Sequence, residues 1–218
     1  MKRREMIKGL AALGVMMLMP DIKVSGNPDG TRLHFIGLGQ AGTNAMVNIH
    51  KKGIDAKYSC IASSYVSHLT RDIDYLFFES MQDFRVNGIR YRERLPLTNQ
   101  MKNLFKENDS YIILTGLGSS VGTGLISNLL KYLQSEKKSY LAICSLPVKA
   151  EGRSVNEYAS LKMRELASNE NVLFFDHNQF IEETVRMSVP EVFRQGNEQF
   201  YTIFKNNYPH IIERQQLN

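Results

Sequence analysis

The chain has no tryptophan and only two cysteines among its 218 residues. Aromatic packing therefore rests on phenylalanine and tyrosine. Cys60 and Cys144 each lie in an apolar run that is typical of a buried strand, and no residue spacing of a metal site is present. Two core thiols are favoured over a disulfide, and no metal-binding cluster is expected. The sequence also lacks internal repeats and low-complexity segments, which excludes a repeat architecture.

The uncharged run in the N-terminal segment is short for a transmembrane helix, which needs about 20 apolar residues. This run, residues 9–19, suits the hydrophobic region of an export signal. Arg3 and Arg4 precede this run as in a twin-arginine signal. The alternative is an uncleaved anchor on the inner membrane face. Residues 1–26 are expected to be a signal-like or membrane-anchoring segment, and residues 27–218 the folded domain.

The composition is that of one globular domain, with 43% hydrophobic and 22% charged residues. The net charge of +5 is modest, and part of it lies at the N-terminus and in a mid-chain stretch, residues 85–94. A bias of this size favours a solvated face or a membrane-surface contact over a nucleic-acid site. Nucleic acid is therefore not expected as a partner.

Apolar runs alternate with helical patterns along the chain. Six strands are expected, at residues 31–39, 57–62, 74–79, 109–114, 139–146 and 172–175. Helices are expected at residues 45–52, 98–106, 125–133, 156–167, 180–186 and 190–208, and a loop at residues 80–96. In the fourth of these helices, the candidate inner residues are Tyr158, Leu161, Met163 and Leu166. Alternating strands and helices predict an α/β fold with a mostly parallel six-stranded sheet covered on both faces.

Two glycine-rich turns each connect an expected strand to an expected helix. The first is GLGQAGTN, residues 37–44, and the second is LTGLGSSVGTG, residues 114–124. A turn of this kind directs backbone N–H groups and a helix N-terminus toward a phosphate. Either turn alone is equally compatible with ordinary close packing. Both lie at carboxyl ends of strands, where α/β sheets bind ligands, and they meet in one crevice provided that the first and fourth strands are neighbours.

Five segments in order resemble the tubulin/FtsZ superfamily of GTPases. FIGLGQAGTNAMVNI (residues 35–49) resembles the first nucleotide loop, and TGLGSSVGTG (residues 115–124) resembles the signature usually written GGGTGTG. Residues 147–159, 177–180 and 190–200 resemble the P-F-x-x-E-G stretch, the N-D-x-L turn and the start of the central helix. The resemblance implies a Rossmann-like three-layer domain with strand order 3-2-1-4-5-6. It also implies GTP or GDP as the ligand, with Mg²⁺ as a possible companion ion.

The same resemblance implies roles for individual residues. Phosphate contacts would come from Gly37, Gly39, Gln40, Ala41, Gly42 and Asn44 in the first loop and from Gly118, Ser119, Ser120, Val121, Gly122, Thr123 and Gly124 in the second. Glu151 would accept a hydrogen bond from a ribose hydroxyl, and Asn178 would contact the ribose or the base. Phe193 would stack on guanine, and Asn197, on the same helix face, would hydrogen-bond the edge of the base.

Local patterns leave plainer roles open for several of these residues. Phe193 fits an ordinary core position, Asn178 a helix cap and Glu151 a solvated loop acid. His68 and His177 are assigned structural or surface roles. Only the joint pattern of all five segments favours guanine nucleotide.

Three features depart from the family pattern. FRVNGIRYRERLP (residues 84–96) stands where the family senses the γ-phosphate, and Val155 stands where FtsZ has an arginine, with Arg153 nearby. The N-x-D-x-x-D catalytic loop and the second domain do not follow the last helix of this sequence.

The expected function is accordingly guanine-nucleotide binding with weak or absent hydrolysis. The expected role is that of a membrane-associated assembly or remodelling factor, whose partner is a full-length FtsZ-like protein or a second copy. A slow GTPase that needs a partner and a nucleotide-free scaffold are the alternatives. The expected location is the cytoplasmic face of the inner membrane, with twin-arginine export to the periplasm as the alternative.

Overall fold

A computed structural model describes residues 32–62, 73–77, 85–86, 89–90, 96–107, 109–182 and 188–208. The expected N-terminal segment, residues 1–26, lies outside the described residues, as does His68. Most of the stretch at residues 80–96 also lies outside them. The predictions for these parts of the chain stay predictions.

Eight strands are described. The main sheet contains β1 (Leu33–Leu38), β2 (Lys57–Ala62), β3 (Asp74–Phe77), β6 (Ser110–Gly116), β7 (Tyr140–Leu146) and β8 (Val172–Asp176). A separate antiparallel pair, β4 (Arg85–Val86) and β5 (Ile89–Arg90), lies within the stretch that was expected to be a loop. The loop prediction was therefore wrong at these four positions.

The main sheet is parallel throughout, in the order β3-β2-β1-β6-β7-β8. Its centre is the five-strand order β2-β1-β6-β7-β8, and the short β3 pairs with β2 at one edge. The parallel α/β architecture expected from the sequence is confirmed. β1 and β6 are neighbours, with Gly37 opposite Leu114 and Leu38 opposite Thr115. Both glycine-rich turns therefore leave the same edge of the sheet side by side.

Six α-helices are described. They are α1 (Gly39–His50), α2 (Asn99–Asn103), α3 (Ser120–Ser135), α4 (Arg153–Leu166), α5 (Asn178–Glu182) and α6 (Val189–Asn207), and a 3₁₀ turn covers Lys149–Glu151. Helices α1 and α3 begin inside the glycine-rich segments, earlier than the periodicity of apolar residues indicates. None of the helices within the described ranges is long and apolar enough to cross a membrane.

The sheet divides the core into two parts because successive strand residues point to opposite faces. On one face, Ile36 and Ile113 pack with Leu125 and Leu129 of α3. On the other face, residues of α1 and α6 pack against the sheet; the members of that cluster include Phe35, Met46, Ile49, Leu114, Ile143, Phe200 and Phe204. Both clusters consist of residues that are almost fully buried, so the molecule has three layers with the sheet in the middle.

The inner face of α4 differs from the expected one. Leu161, expected to be an inner residue, is 53% exposed, and the buried residues of the helix are Ala159, Lys162 and Leu166. The spacing of these three residues places them on one stripe. Leu161 points about 100° away from Lys162 and further away from the other two. Lys162 occupies the stripe because its Nζ donates to Ser127 Oγ at 2.8 Å and also pairs with a neighbouring glutamate. The prediction for Leu161 was wrong because the neighbouring Lys162, held by hydrogen bonds, occupies the inner face of the helix.

Candidate functional site

The two glycine-rich junctions touch each other at the carboxyl edge of the sheet. Gly39, the first residue of α1, has a φ of +66°, a conformation that a glycine adopts without strain. A Cβ atom built on it would lie 3.2 Å from the backbone nitrogen of Gly122 and 3.6 Å from Ser119 Oγ. The Thr115 hydroxyl donates to the Leu38 carbonyl across the same gap, at 3.4 Å. The predicted convergence of the two loops is therefore present.

Both helices that start at this edge present unpaired backbone donors. The first N–H groups of a helix have no acceptor within the helix. Here they belong to residues 39–41 of α1 and residues 119–122 of α3. Within the described chain, neither N-cap residue, Leu38 or Ser119, makes a side-chain capping bond, and neither helix has an acid in its first turn. Two positive helix ends thus lie together, which favours an anion.

Hydrogen bonds within the second loop fix its shape before any ligand arrives. The Gly118 N–H donates to Thr123 Oγ1 at 2.8 Å, and the Ser119 hydroxyl donates to the Gly116 carbonyl at 3.2 Å. Thr123 is fully buried, and the φ of Gly118 is +95°. The structure thus places the Gly118 N–H and the Thr123 hydroxyl in the loop's own hydrogen bonds.

Several glycines that were predicted to contact phosphate allow close packing of helices against the sheet. Gly37 lies in β1, and a Cβ there would stand 2.8 Å from the Cα of Thr43. A Cβ on Gly42 would overlap the carbonyl oxygen of Leu114 in β6. Helix α1 can lie so near the sheet only because these positions lack side chains, and this close approach brings its N-terminus to that of α3. Gly124 is likewise buried inside α3.

The remaining side chains of the first loop lie at the surface of α1. Gln40 is exposed, and its Nε2 donates to Asn44 Oδ1 at 3.3 Å. Ala41 is half-buried beside the second loop, since a Cβ on Gly116 would come within 2.7 Å of the Ala41 methyl. In α3, Ser120 is half-buried and Val121 is buried.

Glu151 was predicted to contact the ribose, and Asn178 the ribose or the base. Both form hydrogen bonds with the loop after β7. Glu151 is exposed, and its Oε1 accepts from the Val148 N–H at 3.0 Å. The Asn178 Oδ1 accepts from the Lys149 N–H at 2.9 Å, and its Nδ2 donates to Asp176 Oδ1 at 2.6 Å. Asn178 thereby ties the end of β8 to the end of β7, next to the second glycine loop.

Val155, in the first turn of α4, packs against the second glycine-rich turn. A Cβ on Gly118 would lie 2.6 Å from Val155 Cγ1 and 3.5 Å from the Pro147 ring. Arg153, two residues before Val155, is 90% exposed and pairs with Glu157 at 2.7 Å. Its guanidinium is therefore held along the outer surface of α4.

The predicted base-binding residues lie on α6. Phe193 is 39% exposed, which makes it one of the few large apolar side chains open to solvent in the described chain. Its ring meets the His177 imidazole edge to face, with 5.7 Å between the centroids. Asn197 is half-buried one turn further along the helix. Phe193 is thus too exposed for an ordinary core residue, which was the alternative role for it.

Polar contacts join α6 to α1 near these residues. Asn48 Nδ2 donates to the Asn197 carbonyl at 3.3 Å and to Glu198 Oε1 at 3.2 Å. The Lys52 ammonium lies 2.9 Å from Glu198 Oε2 and holds the pKa of that carboxyl below its usual range. The helix that begins at the first glycine-rich turn is thus connected to the helix that carries Phe193.

Sequence reasoning missed a buried polar cluster near the amino ends of β1 and β6. Ser59 Oγ lies 2.8 Å from His34 Nε2, and His34 Nδ1 lies 3.6 Å from Asp109 Oδ2. Burial lowers the pKa of His34 to about 3 and raises that of Asp109. The order of groups matches a serine hydrolase triad, but all three are buried, Ser59 and His34 completely. We assign the cluster a structural role. Within the described ranges, no three metal-ligating side chains gather.

The geometry defines a class of protein: a doubly covered parallel α/β domain with two adjacent helix N-termini at one edge of the sheet and an exposed aromatic ring on a third helix. Comparison of the fold narrows this class. The chain is similar to the empty FtsZ dimer of M. jannaschii (TM-score 0.62, 16% identity, 92% of this chain and 57% of that chain). It is also similar to the GDP-bound monomer of CetZ1 from Haloferax volcanii (TM-score 0.56, 17% identity, 78% and 57%).

The sequence itself is similar to a curated relative, the cell division protein FtsZ of Haloferax mediterranei. The two are 24% identical over 178 residues, which cover 77% of this chain and 47% of the relative. The chain therefore spans about half the length of the curated relatives it matches. No protein-family model matches the sequence. Together these likenesses establish a tubulin/FtsZ superfamily fold for this chain.

Proposed function

We propose that the chain binds a guanine nucleotide at the carboxyl edge of the sheet. The observation that carries the proposal is the contact between Gly39 and Gly122, which brings the free N–H groups of α1 and α3 to one place. Two uncapped helix ends without neighbouring acids favour a di- or triphosphate over a single small anion. Mg²⁺ fits this proposal as a companion ion that phosphates and water would mainly hold.

The base is proposed to lie against Phe193. An exposed aromatic ring on α6 offers a stacking surface, and Asn197 offers an amide to the edge of guanine. Glu151 is proposed to contact the ribose, and Asn178 the ribose or the base, since both lie in or against the loop that borders Gly118. Their present hydrogen bonds pre-form that loop, and each retains acceptor capacity for a ligand hydroxyl.

We expect weak or absent GTP hydrolysis by this chain alone. Neither fully described helix at the phosphate edge has a carboxylate in its first turn to polarise an attacking water. We propose that catalytic groups come from a second copy or from a full-length FtsZ-like protein. Phosphate release should then be negligible for the chain alone and should rise when such a protein is added. Equal release with and without it would contradict this part of the proposal.

The membrane role remains a proposal that rests on residues 1–26. We propose that this segment holds the protein at the cytoplasmic face of the inner membrane, where it acts in assembly or remodelling. Cell fractionation with N-terminal sequencing tests this: an uncleaved chain in the membrane fraction is expected. A mature N-terminus near residue 27 in a periplasmic fraction would contradict it.

A nucleotide titration with matched variants tests the binding proposal. GDP binding to the purified chain should be saturable and much tighter than ADP binding. Phe193→Ala should weaken GDP binding by about tenfold or more, since base–aromatic stacking contributes roughly 1–3 kcal/mol. Leu161→Ala is the control, because Leu161 is another exposed large apolar residue but lies on the outer face of α4. Absence of saturable GDP binding would refute the proposal.

A further inference from the structure

The imidazole of His177 lies buried directly against the residues proposed to hold the base. Its residue is 5% exposed and follows the last residue of β8. The ring meets three aromatic side chains near edge to face: Phe175 at 5.3 Å, Phe180 at 6.2 Å and Phe193 at 5.7 Å between centroids. Of the three contacts, the one with Phe193 joins the end of the sheet to α6.

Helix α6 leaves a space for this ring at Gly196. A Cβ atom built on Gly196 would overlap the His177 imidazole, nearest to Cε1 and then to Nδ1. Gly196 lies three residues after Phe193 and immediately before Asn197. The position of the ring is therefore fixed from two sides, by the Phe193 ring and by the backbone of the helix turn that carries both base-binding residues.

Hydrogen bonding to the described residues does not account for a histidine at this position. His177 Nδ1 is buried and has no hydrogen-bond partner among them. Burial lowers the pKa of the imidazole, against the opposing charge of Asp176, and thus favours the neutral ring. A buried polar atom without a partner is unfavourable for stability. An apolar side chain would serve a purely structural purpose better.

We propose that His177 is a positioning residue for the nucleobase: its ring edge holds Phe193 in the orientation that stacks on the base, and Gly196 keeps the ring in register with α6. The inference rests on the proposed function. In this inference His177 does not contact the phosphates, because the N–H groups proposed to bind them lie on α1 and α3. Loss of the ring should therefore weaken the binding of a nucleoside diphosphate and leave the binding of a bare diphosphate unchanged.

Titration calorimetry with GDP and with pyrophosphate separates this role from a general packing role. The variants are His177→Ala, which removes the ring, and Gly196→Ala, which displaces it from the helix side while favouring the helix intrinsically. Each should weaken GDP binding by about tenfold and leave pyrophosphate affinity unchanged. His50→Ala is the control, because it removes a histidine that meets Tyr58 edge to face at 4.7 Å on α1. It should alter neither affinity.

The outcomes distinguish the inference from the proposed function. Wild-type protein that binds neither GDP nor pyrophosphate would overturn the proposed function and this inference with it. Wild-type protein that binds both, with variants that match it, would overturn the inference alone. Equal losses of GDP and pyrophosphate affinity in the variants would also overturn it, because a loosened fold would weaken both ligands together. If His177→Ala does not fold, the folded Gly196→Ala variant decides by the same comparison.

Discussion

Replacing Ser119 with aspartate would place a fixed negative charge where a phosphate is proposed to bind. Ser119 is the N-cap residue of α3, with φ −80° and ψ 160°. It makes no side-chain capping bond among the described residues, and its hydroxyl donates to the Gly116 carbonyl at 3.2 Å. Aspartate is a preferred N-cap residue and would accept from the N–H groups of the first turn. The aspartate carboxylate would therefore take the place of the negative charge of the proposed phosphate.

Stability and binding should respond to this change in opposite directions. The new cap contributes about 1 kcal/mol and the helix dipole a further 0.3–1 kcal/mol, while the lost Ser119 hydrogen bond costs about 1 kcal/mol. The ligand-free protein should thus gain roughly 0.5 kcal/mol, or about 1–2 °C in Tm. A carboxylate about 4 Å from a phosphate charge costs binding roughly 4 kcal/mol at an effective dielectric near 20. That cost corresponds to about a thousandfold loss of GDP affinity.

Thermal unfolding with and without GDP measures both effects in one assay. Ser119→Asp should raise the ligand-free Tm slightly and abolish the GDP-induced rise that mass action requires of a bound ligand. Ser135→Asp is the matched control: it adds the same charge at the opposite end of α3, where Ser135 is exposed and donates to the Tyr132 carbonyl. It should lower the ligand-free Tm and leave the GDP-induced rise intact. A Ser119→Asp variant that binds GDP as wild type does would refute the anion site.

Three further predictions concern the fold around the site. Burial lowers the pKa of His34 to about 3. Below about pH 6.5 the unfolded chain therefore binds a proton that the folded chain does not. The free energy of unfolding should fall as the pH falls, by about 1.4 kcal/mol between pH 7.5 and 5.5. Urea unfolding at the two pH values should show a smaller loss for His34→Gln, and equal losses would contradict this assignment. Gly42→Ala should destabilise the protein by about 1–3 kcal/mol in the same assay, because the new methyl overlaps the Leu114 carbonyl, and an unchanged unfolding midpoint would count against the close packing of α1. Cys60 and Cys144 are fully buried, and burial raises the pKa of the Cys60 thiol to about 12. Both thiols should resist a disulfide-exchange reagent at pH 8 until the protein is unfolded. Rapid labelling of the native protein would be inconsistent with their burial.

The sequence was sufficient for the sheet and for the location of the two glycine-rich turns. Parallel strands that are buried on both faces produce continuous apolar runs, and glycine marks the close approach of a helix to its strand. The exact beginning of each helix was not predictable in this way. Helices α1 and α3 start at Gly39 and Ser120, inside segments whose composition is typical of turns. Their first turns are stabilised by packing against the sheet, which periodicity does not report.

Side-chain partners at the site required the structure because they come from distant parts of the chain. The use of Asn178 to tie β7 to β8, and of the Thr123 hydroxyl to hold Gly118, depends on the close approach of separate loops. His177 carried a weak signal, a histidine at the end of an apolar strand directly before Asn178. Its role became arguable only when its ring was found against Phe193 and Gly196.

Amide chemical shifts of the ¹⁵N-labelled protein test the central claim most directly. Titration with pyrophosphate should shift the backbone amides of residues 39–41 and 119–122, which are the free donors of the two helix ends. Titration with GDP should shift the same amides and, in addition, the resonances of Phe193 and Asn197. Saturable GDP binding that leaves the amides of Gly39 and Gly122 unmoved would contradict the account.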